Sequence, residues 1–212
     1  MEKLDNSIRL QNRHALVGPP HLWRMKRDFQ IEFLKKVGLS REHYLLDLGC
    51  GTLRGGTPII SYLQVGHYFG VDVRAEVLSE ADKELREEGL LDKEPILIYS
   101  SDLSTLYIEQ KFDFIWGFSV LIHMTDSVLS DALSFIRNQL LPSGCFYANV
   151  NIGESSDAVW REFPLVWRTM DFYKDMGQKN GLEAQNMGTI ASLGFASGHQ
   201  GHDSKIILKF RR

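Results

Sequence analysis

Apolar positions in this chain fall into short unbroken runs that alternate with longer segments of helical spacing. Runs at residues 44–48, 67–72, 95–99, 112–117 and 145–150 are too short for helices and are bounded by turn formers, so they predict strands. Between them, residues 57–63, 75–88 and 126–140 predict helices, the last capped by Thr125 or Asp126. Pro142-Ser-Gly144 is a turn into the fifth strand. A further helix over residues 169–180 closes at Gly181, and two last strands follow near 182–187 and 205–210, joined without a helix. Ahead of the first strand, Leu16-Val-Gly-Pro-Pro20 is a turn. Over residues 21–37, Leu22, Met25, Phe29, Phe33 and Leu34 recur at spacings of three and four, an amphipathic helix that Gly38 ends. The alternation predicts an α/β fold: a doubly wound, mostly parallel seven-stranded sheet with an antiparallel C-terminal edge strand. Residues 1–43 form an N-terminal helical cap and residues 44–212 the sheet domain, one domain overall.

The stretch Tyr44-Leu-Leu-Asp-Leu-Gly-Cys-Gly-Thr-Leu-Arg-Gly-Gly56 is the one around which the rest of the chain is organised. Four glycines, Gly49, Gly51, Gly55 and Gly56, stand between an apolar strand and a helix start. Such a strand, turn and helix N-terminus make a ligand crevice, because glycine lets the backbone come close to a bound group. Asp47, inside the apolar run, must be paired or face a polar ligand. The dinucleotide spacing G-x-G-x-x-G is broken, since Arg54 stands where the third glycine belongs and Gly55 comes one residue late. No Lys-Ser/Thr pair makes the stretch a phosphate loop.

The chain has 212 residues with 43% hydrophobic content, enough for one core and short for two ordinary domains. A net charge of −3 disfavours a general nucleic-acid binder, although residues 1–43 carry nine basic against five acidic residues and so permit an anionic small molecule. Cys50 and Cys145 read as reduced thiols in a cytoplasmic protein. No apolar stretch approaches a membrane span.

Asp47-Leu-Gly-Cys-Gly51 resembles the D/E-x-G-x-G motif of class I, Rossmann-like S-adenosylmethionine-dependent methyltransferases of the small-molecule type. Leu53 departs from that pattern, standing at its third glycine. The resemblance implies that Asp47, Gly49, Cys50 and Gly51 wrap the methionine part of the cofactor. Asp72, 21 residues after Gly51 at the end of the second strand, is placed to accept the ribose hydroxyls, with Val73 beside it. Ser101, Asp102 and Leu103 match the adenine positions, Asp102 holding the amino group and Leu103 packing on the ring. Asp102 is otherwise a turn cap. Phe118-Ser119-Val-Leu-Ile-His123-Met124 resembles the segment that brings a histidine to the active-site mouth, with Phe118 and Ser119 on the cofactor. His123 is either the general base or a residue of the helix start.

Asn149 and Asn151, ending the fifth strand, either orient the acceptor or mark a turn. Arg24, Lys26, Arg27, Lys35 and Lys36 read mostly as a solvated face, while Trp23, Arg27 and Gln30 can line a cap over the crevice. Trp23, Arg27 and Arg54 are therefore acceptor-side candidates. His199, His202 and Asp203 invite a metal, but they sit in a glycine-rich loop, and Asn149-Val-Asn151 lacks the Asp-Asn pair of the metal-dependent catechol-type enzymes. The expectation is a metal-independent enzyme, a monomer or homodimer, methylating an oxygen of a small metabolite, sugar or glycan precursor. The amino-methyltransferase signature is absent, as Gly117-Phe-Ser-Val stands in its place. Methylation of a small amine, or a non-catalytic cofactor-binding partner subunit, are the alternatives.

Overall fold

In the computed structural model, which describes residues 12–160 and 162–212, seven strands form one sheet in the order β3-β2-β1-β4-β5-β9-β8. These are β1 Leu45–Leu48, β2 Tyr68–Asp72, β3 Ile96–Tyr99, β4 Phe112–Gly117, β5 Leu140–Val150, β8 Glu183–Thr189 and β9 Ile206–Arg211. The first five pair in parallel, and β9 runs antiparallel to both β5 and β8. The antiparallel strand at that end is thus the C-terminal one, set one place in from the edge.

Both faces of the sheet are covered, which is why its strands read as unbroken apolar runs. Successive residues alternate between two cores: Leu45, Phe114, Trp116 and Tyr147 face one, Leu46, Ile115, Phe146 and Ala148 the other. The first core is closed by α1 Trp23–Lys36, α2 Gly56–Tyr62 and α3 Ala75–Glu87 through Phe33, Leu34, Ile59, Ile60 and Leu85. The second is closed by α4 Asp126–Gln139 and α5 Met170–Lys179 through Leu129, Leu133, Ile136 and Tyr173.

Three local features differ from the sequence pattern. Pro142-Ser-Gly144 lies inside β5 rather than before it, in a bulge: Phe112 pairs with Leu140 and Phe114 with Cys145, so β5 carries extra residues there. An unforeseen antiparallel hairpin, β6 Ser156–Trp160 and β7 Phe163–Trp167, stands apart from the main sheet. The loop before β9 contains a short helix, α6 Gln200–Asp203.

The segment before α1 is strapped to α3. The Arg13 guanidinium, 2% exposed, donates to Glu80 at 3.2 Å, to Glu87 at 2.8 Å and to Glu84. That anchorage presents two backbone carbonyls to the glycine loop and its neighbour: Arg54 donates to Val17 O at 2.8 Å, and Arg74 to Leu16 O at 3.1 Å. Residues 1–11 of the expected cap lie outside the described residues.

Candidate active site

β1, β2 and β4 all end at the same edge of the sheet, where the strand order reverses, and a cavity of about 870 Å³ opens there. That volume is at the upper end of the roughly 300–1,000 Å³ usual for ligand pockets, room for a cofactor and a small acceptor together.

The loop after β1 forms its floor. Gly49 and Gly51 have φ of +69° and +59°, the left-handed region. A Cβ on Gly49 would come within 2.4 Å of a Val120 methyl, and one on Gly51 within 2.9 Å of Val17. A side chain at either position would therefore fill the cradle. Gly49→Ala is expected to cost about 1–2 kcal/mol from backbone strain alone, lowering the melting temperature by roughly 2–8 °C. An unchanged melt would show that the loop relaxes around the methyl group.

Two carboxylates stand behind this loop. Asp72 accepts from the backbone N–H of Gly51 at 2.9 Å and of Arg74 at 3.0 Å, so it braces the glycine turn as well as facing the cavity. Asp47 accepts the Tyr68 hydroxyl at 2.7 Å. Burial pushes its pKa up to about 7, the nearby Asp72 charge adding to the rise and the Tyr68 bond opposing it. Cys50 is a free, buried thiol on the cavity wall, its pKa raised by burial; Cys145 is also free.

The cavity brings together most of the expected residues. Asp47, Gly49, Cys50, Gly51, Asp72 and Val73 line one side, with Ser101, Leu103, Phe118 and Ser119 continuing it. His123, Arg54 and Asn151 line it as well. Four candidates lie elsewhere. Asp102 is exposed, and its carboxylate accepts from the Ser104 N–H at 2.8 Å and hydroxyl at 2.7 Å, the turn-capping role of a short acidic side chain. Trp23 stacks on His14 with ring centres 3.7 Å apart instead of facing the cavity. Arg27, partly exposed on α1, lies 4.0 Å from Asp28 and does not line the cavity. Asn149 is wholly buried; its Oδ1 accepts the Ser119 N–H at 2.6 Å and holds that residue at a φ of +63°. Asn151 likewise donates to Val166 O at 3.0 Å, tying β7 to the end of β5. Both asparagines thus shape the wall through backbone contacts.

His123 ends a short 3-10 turn, Leu121–His123, after β4. Its Nδ1 lies 2.8 Å from Pro164 O, and a carbonyl can only accept, so Nδ1 carries the proton and Nε2 keeps its lone pair. The ring stacks on Trp160 at 5.2 Å and meets Phe163 at 6.0 Å. Burial holds its pKa below the ordinary value, with the Lys205 and Arg74 charges acting the same way and the Pro164 bond opposing. The hairpin that holds this ring is itself pinned by Arg168, which bonds Asp126 at 2.9 Å and Asp157 at 2.6 Å.

The wall facing the glycine loop contains two residues that sequence reasoning passed over, Lys26 and Lys205, beside Gln30, expected in a cap over the crevice, and His199 and His202, weighed as metal candidates. Lys26, expected on the solvated face of α1, is 4% exposed. It shares the buried stripe of Leu22, Phe29, Gln30 and Phe33, whose spacing could have revealed it. Gln30 accepts the Trp116 indole N–H at 2.8 Å and packs against Gly55. Lys205, His199 and His202 enter from the loop before β9. Asp203 does not join them, because its carboxylate accepts from Ser197 and Gly198 N–H groups at 2.9 and 3.0 Å. Among the described residues no cluster of three metal-ligating side chains is present, and no helix is long and apolar enough to cross a membrane.

A family profile described as a methyltransferase domain matches residues 46–146. A protein of Schizosaccharomyces pombe (strain 972), named as an uncharacterized methyltransferase, is 31% identical over 136 residues, covering 61% of this chain and 47% of that one. The chain therefore spans about half the length of that relative. Among solved structures, an S-adenosylmethionine-dependent methyltransferase of Clostridium acetobutylicum ATCC 824 has a TM-score of 0.68 at 17% identity, covering 89% of this chain and 91% of the other. The glycopeptide N-methyltransferase MtfA complexed with S-adenosylmethionine scores 0.67 at 14% identity, covering 86% and 92%. Magnesium protoporphyrin IX methyltransferase of Synechocystis PCC 6803, with S-adenosylmethionine bound, scores 0.64 at 16% identity, covering 91% and 80%. At these identities the likeness is one of fold.

Proposed function

We propose that this chain, whose residues 46–146 match a methyltransferase-domain profile and whose fold is shared with an S-adenosylmethionine-dependent methyltransferase, is a class I enzyme of that type that transfers the cofactor's methyl group to an oxygen of a small metabolite, sugar or glycan precursor. The residues fit the group: a glycine cradle that a Cβ would fill, a carboxylate at the end of β2, and apolar Leu103 and Phe118 on the same wall. S-adenosylmethionine supplies an electrophilic sulfonium methyl when bound, so the protein's part is to orient, exclude water and manage one proton.

The observation that carries the reading is the fixed tautomer of His123. With Nδ1–H committed to Pro164 O, Nε2 is the free base on a ring that faces the cavity. A hydroxyl that gains a methyl must lose its proton, and a neutral imidazole near it takes that proton. The low pKa keeps the ring neutral at physiological pH, ready to accept. Asn149 acts on the same wall, fixing the Ser119 turn between the cofactor loop and His123.

No metal ion takes part in this scheme, and the setting is cytoplasmic, the protein acting as a monomer or homodimer without nucleic acid. Turnover by the isolated chain is expected to survive exhaustive chelation. Loss with EDTA and recovery with magnesium would instead assign the His199–His202 wall to a metal. The cofactor is tested by calorimetry: S-adenosylhomocysteine should bind in the micromolar range, about −8 kcal/mol, and NAD should not. Heat with NAD alone would sink the assignment, and cofactor binding without turnover on any acceptor would make the chain a binding subunit.

A further inference from the structure

We infer that the methyl acceptor is an anion, carrying a carboxylate or phosphate that Lys26, Arg54 and Lys205 receive; this rests on the cavity being the methyl-transfer site. Six formally charged side chains line the cavity: Lys26, Arg54, Arg74 and Lys205 against Asp47 and Asp72. Asp72 lies 3.6 Å from the Arg74 guanidinium, so that pair balances internally. Asp47 is bonded to Tyr68 and is the carboxylate whose charge bears on Arg54. Lys26, Arg54 and Lys205 outnumber it, and among the described residues no ion pair within 4.0 Å joins any of the three to a carboxylate.

These are not solvated surface lysines. Lys26 is 4% exposed and Arg54 7%. Arg54 spends Nη1 on Val17 O, while its Nε–H is buried with no partner. The three come from different elements: α1, the glycine loop and the segment entering β9. Each bears on another, for burial first, and then the Arg54 charge, holds Lys26 at about 7 and Lys205 at about 8. Buried like charges without a counter-charge are costly, and S-adenosylmethionine, with one more positive than negative group, adds to the imbalance. A bound oxyanion restores it and favours the charged form of both lysines. Asp203, the one carboxylate in the α6 loop, is turned to the Ser197 and Gly198 amides and leaves this wall without a negative charge of its own.

Calorimetry on the full chain, saturated with S-adenosylhomocysteine, tests this with inorganic phosphate and malonate as probes. The wild type should bind at least one of them, and the one that binds names the acid group. Lys26→Met and Lys205→Met should each weaken that binding about tenfold or more, and Lys205→Arg should keep it. S-adenosylhomocysteine affinity measured on each variant reports whether it has folded, and in Lys205→Met it should stay within about twofold of wild type. Failure of both probes to bind the wild type, or equal binding by the methionine variants, overturns the proposal. Probe binding without any S-adenosylhomocysteine binding would remove the methyl-transfer reading and leave the anion site standing.

Discussion

His123→Ala is expected to lower turnover by about a hundredfold to ten-thousandfold while cofactor affinity stays close to wild type. The imidazole touches Pro164 O and two aromatic rings, none of which is on the glycine loop, so its loss leaves Asp47, Asp72 and the cradle in place. The pH profile supplies the sharper test. Only the neutral ring accepts a proton, so the wild-type rate should fall on acidification and stay level above the histidine's pKa. Burial and the facing charges of Lys205 and Arg74 place that limb below the roughly 6.5 of a free imidazole. The alanine variant should lose the limb. A variant with near-full turnover and an unaltered profile would reduce His123 to a support for the β6–β7 hairpin.

Asp72→Ala is expected to weaken S-adenosylhomocysteine binding by about tenfold to a hundredfold, the range for hydrogen bonds to a charged group. Two losses combine here. On the proposed cofactor placement the ribose hydroxyls lose a carboxylate, and the Gly51 N–H loses the acceptor that holds the glycine turn at its positive φ. Asp72→Asn separates them, since an amide oxygen can keep one backbone contact while the charge is gone. Calorimetry that finds wild-type affinity in Asp72→Ala would move the ribose site elsewhere.

The glycine-loop side of this cavity was legible because it is written in consecutive residues. A strand, two left-handed glycines and an acid at the next strand end are set by local backbone geometry, and Asp47, Gly49, Gly51 and Asp72 came out together. The opposite wall depends on contacts between distant segments. Lys26 meets Lys205 only once α1 and β9 are packed, and nothing in either neighbourhood announces the other. Helix phase misled as well: Met25 is 40% exposed while its neighbour Lys26 is buried. The β6–β7 hairpin was hidden by Pro164, which reads as a strand breaker yet sits in an isolated two-stranded ribbon, where its carbonyl serves His123. Asp102, where the turn-cap alternative matches the observed bonds, is ambiguous for the opposite reason. A carboxylate after a strand looks the same in sequence whether it meets a ligand or caps Ser104.

The placement of β9 also dictates an order of assembly. Among the described residues, strand β8 hydrogen-bonds to β9 and to no other strand, so residues 183–189 have no berth in the sheet until residues 206–211 have docked on β5. The intervening stretch, with His199, His202 and Lys205, is closed by that same late pairing. Strands β1, β2 and β3 join through nearer neighbours, and short loops close sooner than long ones. A growing chain therefore lays down its glycine cradle early, and the cationic wall opposite takes shape only when the final strand threads between its two partners.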